Sequence, residues 1–412
     1  MILENFISII LALAPVILGA VWQVSRISPV RLKTLGLAVV VFLAGGMVMM
    51  QSAFGLERPV LLLTGAVLLS GFCSILGQGD TTEPANVSAS ILIVLGLGLG
   101  VLFHQGLLGR LFLIGLLGYV LTTFNRGKSN SIREKLVFPH LVVAIILAIS
   151  SIFIGEPLGL FAGLFLAVTF LPLAPFHLPF VAVIENAKGT LSSFWIVLWL
   201  AIGLSELNGI HSLLTSEMLS GIGLLALASA VYASMACLGQ PKSNLFVASA
   251  TVAHVALVWG LLDVFSSFPE WGVSFGVAVA LLMGGVILAF SFVRQRYGWN
   301  ILGKLPGLAS PMPRFGMVMV FLVSFAMFLP LFSTFSGLRF METTATHGGG
   351  MVMLLITFLV VWLGGGWYFS RMLHQTAFGQ VRSDVPYTDL RKGEFFAVSA
   401  LLIFAAYSGL IH

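Results

Sequence analysis

The sequence predicts an all-α polytopic membrane protein with about fourteen transmembrane helices. Three observations predict this class. About fourteen apolar stretches follow one another along the 412 residues, each roughly 18–23 residues long and able to cross ~30 Å of hydrocarbon as a helix. Only 8% of the residues are charged, against about a quarter in ordinary soluble domains. All but three of the 20 Lys and Arg residues fall in alternate connections, the exceptions being Arg58, Arg110 and Arg339.

The apolar stretches predict a single transmembrane domain over residues 1–412. Residues 1–86 form three N-terminal helices, 87–210 a first repeat, 211–375 a second repeat, and 376–412 a C-terminal helix. Because lipid offers the backbone no hydrogen-bond partners, each stretch is expected to be helical. The stretches are centred near Leu13, Val41, Ala66, Leu97, Leu116, Leu147, Ala167, Val197, Ala226, Ala256, Leu281, Phe325, Thr357 and Leu402.

The uneven distribution of positive charge predicts the orientation. Lysine and arginine mark the cytoplasmic side of membrane proteins, which places residues 126–135 and 294–314 in the cytoplasm and 208–217 outside. Both termini are then expected to face outward. The first stretch is preceded by Glu4 and lacks a basic segment, so we expect it to be the first span rather than a cleaved leader.

Composition argues against several functional classes. The pI of about 9.4 does not indicate nucleic-acid binding, because the basic residues lie in short loops where they set orientation and meet anionic lipid. Cys73 and Cys237 lie far apart inside apolar segments, which favours buried thiols over a disulfide or a metal site. No phosphate loop or dinucleotide fingerprint has a suitable context, so no NADH, flavin, iron–sulfur or other cofactor is expected. The Gly-rich runs 95–100 and 364–366 favour close helix packing.

Prolines interrupt two of the predicted spans, the seventh at Pro172 and Pro175 and the twelfth at Pro330. Proline lacks an amide hydrogen and clashes with the preceding turn, so each helix should break or kink there. Two breaks five spans apart are what an internal repeat of five helices predicts, and an odd repeat is inverted in the membrane. The alternative is that prolines are simply frequent in membrane helices.

The motifs around these prolines resemble a known family, the antiporter-like membrane subunits of respiratory complex I, with relatives in Mrp-type sodium/proton antiporters and membrane-bound hydrogenases. The resemblance extends over about residues 99–412, and it implies fourteen spans, outward termini, two inverted five-helix repeats and a bacterial cytoplasmic (inner) membrane. The matching residues are Pro175-Phe176-His177, Ala187, Ser192, Ala248, Thr251, His254, Pro330, Phe335, Gly337 and the run from Asp389 to Glu394.

The resemblance also implies a row of buried ionisable residues that pass protons at mid-membrane depth, and here the sequence departs from the family. The lysine that the family keeps in helix seven becomes Phe170, the lysine in helix eight becomes Ala201, and the charged residue in helix twelve becomes Leu338 beside Arg339. Helix five, over residues 113–122, contains no acid. The sequence therefore predicts weak proton conduction, or none, by the family route.

A few ionisable residues remain as candidates for a proton or ion path, because such residues inside a membrane segment are functional candidates by default. For His177 and His254 the alternative to a proton path is a structural hydrogen bond between helices. For Glu206, Asp263 and Glu394 the alternative is a merely solvated position at the membrane interface. Glu185 and Lys188, three residues apart, could pair on one helix face. The candidates are His177, Glu185, Lys188, Glu206, His254 and Arg339.

The resemblance implies a non-catalytic membrane subunit of a complex I-like assembly, of the NADH:quinone oxidoreductase, Mrp or hydrogenase type, associated with proton or cation translocation. Its partners would be other membrane and peripheral subunits, the lipid bilayer and a proton or sodium ion, but no nucleic acid. One alternative is a degenerate, non-pumping subunit that anchors or energises a partner, as in an inorganic-carbon uptake complex. A structural scaffold and an unrelated secondary carrier are further alternatives. The carrier is disfavoured because the seventh span offers few polar side chains.

Overall fold

The protein is described here by a computed structural model. The described residues are 2–25, 28–79, 86–104, 106–125, 132–153, 158–262, 268–332 and 348–410. Arg339, Leu338 and Asp263, on which some of the sequence predictions depend, lie outside these ranges.

The described ranges contain 15 α-helices, so the predicted all-α class is confirmed. Two short 3₁₀ turns follow α9 and α13, at His211–Leu213 and Leu329–Leu331. The helices are α1 (Ile2–Val24), α2 (Pro29–Phe54), α3 (Arg58–Leu76), α4 (Asn86–Phe103), α5 (Leu107–Asn125), α6 (Ile132–Phe153), α7 (Leu158–Phe170), α8 (Leu178–Asn186), α9 (Leu191–Ile210), α10 (Ser216–Gly239), α11 (Ser243–Leu261), α12 (Phe268–Tyr297), α13 (Pro313–Phe328), α14 (Gly348–Thr376) and α15 (Lys392–Ser408).

Ten of the helices are long and apolar enough to cross a membrane, and three shorter apolar helices lie at Val87–Phe103, Leu107–Thr123 and Leu158–Phe170. Every one of the predicted apolar centres falls inside a helix, from Leu13 in α1 to Leu402 in α15. The chain is therefore an integral, multi-pass membrane protein.

The chain divides into two compact units. The first comprises residues 1–172 and 176–213, where α1 packs along α4, while α3 and α7 both pack against α9. Most residues of α9 are buried, including Trp199. This helix is therefore the core element of the first unit.

The second unit comprises residues 173–175 and 214–412. Nearly all of α11 is buried, as are residues 271–293 of α12. Within the unit α10 packs along α11 and α14, and α15 packs along α12. The boundaries of the predicted repeats, 87–210 and 211–375, stay predictions.

Glycines permit close helix packing in the first unit, for example at Gly96 and Gly203. A Cβ atom at Gly96 would lie 2.4 Å from the carbonyl oxygen of Ala12, so α4 and α1 approach each other as a small-residue contact allows. A Cβ at Gly203 would lie 2.5 Å from the backbone of Phe170 and of Leu171, at the end of α7. The prediction that the run 95–100 favours close packing is confirmed at Gly96.

Candidate functional site

The chain leaves the helical conformation between Phe170, where α7 ends, and Leu178, where α8 begins. The intervening residues form turns and include a cis peptide bond between Ala174 and Pro175. His177 is the residue before α8 and is buried. The candidate histidine therefore lies directly at the junction between the two helices.

Two side chains satisfy polar groups at the end of α7. The indole Nε1–H of Trp199 donates to the carbonyl oxygen of Thr169 at 2.9 Å. The hydroxyl of Thr169 donates to the Phe165 carbonyl, so it accepts from Nε2–H of His140, which lies 2.9 Å away. The indole bond supplies a partner for a carbonyl near the end of α7, and the imidazole bond joins α6 to the same turn.

Aromatic packing occupies the position at which the family resemblance implies a buried lysine. Phe170 is fully buried, with 0% of its surface exposed, and its ring lies 4.7 Å from that of Trp199. Ala201, at the second such position, is 2% exposed. An apolar ring and a methyl group can neither bind nor release a proton, so neither position can act as a station in a relay.

Glu206 forms an ion pair with Arg110, and the expectation that it is merely solvated is wrong. One guanidinium nitrogen of Arg110 lies 2.7 Å and 2.8 Å from the two carboxylate oxygens. The two side chains are only 22% and 10% exposed, because the start of α5 and the end of α9 enclose them. Arginine stays protonated in proteins, so this pair joins two helices as a charged contact.

Replacing Glu206 with alanine should leave the Arg110 charge half-buried without its partner. We expect a loss of about 1–3 kcal/mol in the free energy of unfolding, between the values for exposed and buried pairs. The loss can be measured as a shift in the detergent-unfolding midpoint of the purified chain. The double variant Arg110→Ala/Glu206→Ala should lose less than the sum of the single variants, and strict additivity would contradict the pairing.

Glu185 and Lys188 do not share a helix, so the structural basis predicted for their pairing is wrong. The helix α8 ends at Asn186, and Ala187 is extended, with φ −64° and ψ 133°. Gly189 then takes a positive φ of 53°, a conformation that favours glycine. The turn carries Lys188 off the helix and leaves it exposed.

In the second unit, His254 lies in the middle of α11 and is 1% exposed. Its Nδ1 lies 2.9 Å from the carbonyl oxygen of Ala250 and 3.3 Å from the hydroxyl of Tyr368 in α14. Its Nε2 lies 3.2 Å from the carbonyl oxygen of Ala326 in α13. The imidazole therefore joins three helices of this unit.

These partners can accommodate His254 in either charge state. In the neutral ring, Nε2–H donates to the Ala326 carbonyl, and Nδ1 accepts from the Tyr368 hydroxyl. In the imidazolium, Nδ1–H has the Ala250 carbonyl as acceptor. The hydrogen-bond partners therefore fit both the neutral and the charged form of this buried imidazole.

The bond from His254 also compensates for a proline. In an α-helix the Ala326 carbonyl would accept from the amide of residue 330, but that residue is Pro330, which has no amide hydrogen. The helix α13 ends at Phe328, and Pro330 lies in a 3₁₀ turn. The histidine supplies the donor that the proline removes.

A second polar cluster lies at the other end of α13, and we name residues 387–394 the clasp. The carboxylate of Asp389 accepts from the backbone amides of Arg314 and Phe315, at 3.0 Å and 3.2 Å. These amides belong to the first turn of α13. The side chain of Met312, the residue before this helix, does not cap them. Asp389 therefore caps a helix that begins about 75 residues earlier in the chain.

The clasp also holds the end of α12. Glu394 pairs with Arg296 and accepts from the amide of Arg391 at 2.8 Å. It is 6% exposed, so the expectation that it is merely solvated is wrong as well. The hydroxyl of Tyr297 accepts from the amide of Thr388 at 2.8 Å. The clasp thus ties the start of α13, the end of α12 and the start of α15 together.

Sequence reasoning missed several polar residues of these clusters, among them His140, Trp199 and Tyr368. His140 follows Pro139 inside an apolar helix, and a histidine in that context was a usable signal. Tyr368 and Trp199 lie in apolar stretches and look like ordinary core residues, because only their partners in space reveal the role of the hydroxyl and the indole. Tyr368 contacts a histidine 114 positions away, a separation that no local pattern reports.

The fold and the polar clusters together define a multi-pass helical membrane protein whose helices are joined by side-chain hydrogen bonds and ion pairs. No protein-family model matches the chain. Two curated relatives are the proteins named NADH-quinone oxidoreductase subunit M of Rickettsia felis and Rickettsia conorii, each 26% identical over about 250 residues. The matches cover 58% of this chain and 50% of each relative. The chain thus spans about half the length of the curated relatives it matches.

Among solved structures, a chain of respiratory complex I from Thermus thermophilus with bound NADH matches with a TM-score of 0.74 and 17% identity. The match covers 98% of this chain and 99% of that chain. A chain of an archaeal membrane-bound sulfane sulfur reductase matches with a TM-score of 0.70 and 15% identity, over 97% and 75% of the two chains. The predicted resemblance to the antiporter-like membrane subunits of complex I is therefore confirmed.

Proposed function

We propose that the chain is a membrane subunit of a complex I-like assembly, associated with proton or cation translocation but lacking most of the usual charged relay. The observation that carries the proposal is the fold match to a complex I chain over 98% of the residues. The sequence similarity to subunit M proteins supports it. In this proposal the chain does no redox chemistry itself, and it meets other membrane and peripheral subunits as partners.

The chemical character of the buried groups supports the proposal that most of the usual charged relay is lacking. Among the described residues, no lysine or arginine is fully buried, and the buried imidazoles and carboxylates belong to His104, His177, His254 and Glu394. A relay across ~30 Å needs several ionisable stations, because a lone charge in hydrocarbon is expensive and cannot pass its proton far. The subunit would then act on its assembly mainly through architecture and conformational change.

Co-purification with a tagged chain in its native membrane tests the assembly. Oxidoreductase or hydrogenase subunits among the co-purified proteins are the expected result. A zinc-dependent hydrase partner would favour the alternative of a non-pumping subunit in inorganic-carbon uptake. Recovery of the chain alone under mild detergent conditions would contradict membership in any such assembly.

The purified chain, reconstituted in vesicles with an imposed pH gradient, should pass protons no faster than empty vesicles. This follows from the apolar residues at Phe170 and Ala201. A proton-sensitive dye inside the vesicles measures the flux. Rapid flux that His254→Gln abolishes would show that the chain conducts protons through a route of its own. His177, Glu185, Lys188, Glu206 and Arg339 would then be the next candidates.

The proposed topology has fourteen spans, with both termini facing outward in a bacterial inner membrane. It predicts that Ser212, in the turn after α9, lies outside, whereas Ser383, between α14 and α15, lies in the cytoplasm. Both residues are exposed, and the native Cys73 and Cys237 are buried. Cysteine variants at the two serines should therefore react with an impermeant thiol reagent from opposite sides of the membrane. Labelling of both from one side would refute the topology.

A further inference from the structure

A cavity of about 480 Å³ lies within the first unit, between the ends of α1, α4, α5, α8 and α9. This volume is within the range of about 300–1,000 Å³ that is typical of small-molecule sites. The polar side chains on its described wall are Gln23, Ser90, Tyr119, Thr123, Asn186 and Lys188. The other described wall residues, which include Val24 and Trp195, are apolar.

The polar part of the cavity wall has donors suited to an anion. Among the described residues of its wall, Lys188 is the one that carries a charge, and its side chain is exposed. The amide of Gln23 lies 3.5 Å from the hydroxyls of Ser90 and Tyr119, at the outer limit of a hydrogen bond. These three groups are therefore held near one another while bonding only weakly. They keep most of their capacity for a ligand.

The remainder of the cavity suits an apolar group. Trp195 is 4% exposed and, with Val183 and Leu191, forms an apolar part of the wall. Val24, at the edge, is 87% exposed and ends α1, whose apolar side chains are exposed along one side. In a membrane protein such a side faces lipid. A free inorganic anion would leave the apolar part of the cavity uncovered, whereas an amphiphile would cover both parts.

We infer that this cavity binds the head group of an anionic phospholipid from the surrounding leaflet. Lys188 pairs with the phosphate as a point charge. Gln23 and Tyr119 donate to the phosphate or glycerol oxygens. The first part of an acyl chain extends out of the cavity beside Val24 and lies along α1. Basic pockets between transmembrane helices on the cytoplasmic side are suited to such head groups. The inference rests on the cavity and on the proposed topology, and it does not depend on whether the protein moves ions.

Native mass spectrometry of the full chain tests this lipid site. The chain is released from nanodiscs that contain phosphatidylglycerol and phosphatidylcholine in equal amounts. We expect the wild type to retain one phosphatidylglycerol, and Lys188→Gln to retain it about five-fold less, since one lysine near anionic lipid contributes about 1 kcal/mol. Lys135→Gln is the matched control, because Lys135 is exposed on α6 and does not line the cavity. It should bind as the wild type does.

A second variant separates loss of charge from loss of space. Ser90→Phe fills part of the cavity without changing its charge, and it too should release phosphatidylglycerol. Equal retention of phosphatidylcholine, or unchanged retention in both variants, would overturn the proposal. Displacement of the lipid by millimolar inorganic phosphate would also overturn it, because the cavity would then recognise a free anion.

Discussion

Replacing His254 with alanine should destabilise the second unit by about 2–4 kcal/mol. The change removes a side chain that is 1% exposed and leaves a cavity among α11, α13 and α14. It also leaves the Ala326 carbonyl and the Tyr368 hydroxyl without their imidazole partner. A buried carbonyl without a donor contributes about 1–3 kcal/mol of this loss. The midpoint of detergent-induced unfolding of the purified chain measures the effect.

His254→Gln is the matched control for this prediction. The glutamine amide nitrogen can occupy nearly the position of Nε2 and can donate to the Ala326 carbonyl. We therefore expect this variant to keep most of the stability that alanine loses. If glutamine and alanine proved equally destabilising, the bond to Ala326 would have no part in the effect, and packing alone would explain it.

Pro330→Ala tests the same bond from its other side. Alanine at this position restores the backbone amide that an α-helix uses to satisfy the Ala326 carbonyl. In the His254→Ala background it should therefore recover about 1 kcal/mol, and the two changes should be coupled rather than additive. Additive effects would show that the histidine does not substitute for the missing amide.

The sequence predicted most of the fold because the bilayer imposes a simple rule on it. Apolar stretches of sufficient length must become helices, and each predicted centre lies in one. Proline acts locally through its own ring, and α7 and α13 end just before Pro172 and Pro330. These features depend only on neighbouring residues, so a single sequence reports them well. The predicted pair of broken spans stays a prediction.

The polar clusters were predicted less well because their partners are distant in the chain. Glu206 and Glu394 looked like solvated residues near span ends, since nothing local indicated Arg110 or Arg296 as partners. The histidine at position 254 was identified through the family resemblance, but Tyr368 was not. Lys188 was placed on a helix because its spacing from Glu185 fits one, but α8 ends at Asn186, before Lys188 is reached.

Replacing Glu394 with alanine should have the second large effect, a loss of about 3 kcal/mol. The carboxylate pairs with Arg296 and accepts from the amide at the start of α15. Its removal leaves a guanidinium that is 15% exposed without its charge partner. Breaking such a pair from one side is more destabilising than replacing both partners, because the remaining charge stays enclosed. Glu394→Gln should be intermediate, because it keeps an acceptor for the Arg391 amide.

Asp389→Ala separates the capping of α13 by Asp389 from the ion pair of Glu394 with α12. It removes the acceptor for two first-turn amides of α13, and a lost cap of this kind destabilises by about 0.5–2 kcal/mol. The control is Asp384→Ala, on the exposed loop between α14 and α15. There a hydrogen bond from Arg382 lowers the pKa of the Asp384 carboxyl, but both groups are well solvated.

The order of the three effects is the decisive measurement for the clasp. We expect Glu394→Ala to shift the unfolding midpoint most and Asp389→Ala less, with Asp384→Ala close to wild type, since exposed pairs contribute about 0–1 kcal/mol. The order follows from exposure, because removing the partner of a charge lowers the free energy of unfolding most where water screens that charge least. A shift for Asp384→Ala equal to that for Glu394→Ala would mean that the clasp does not hold α12, α13 and α15 together.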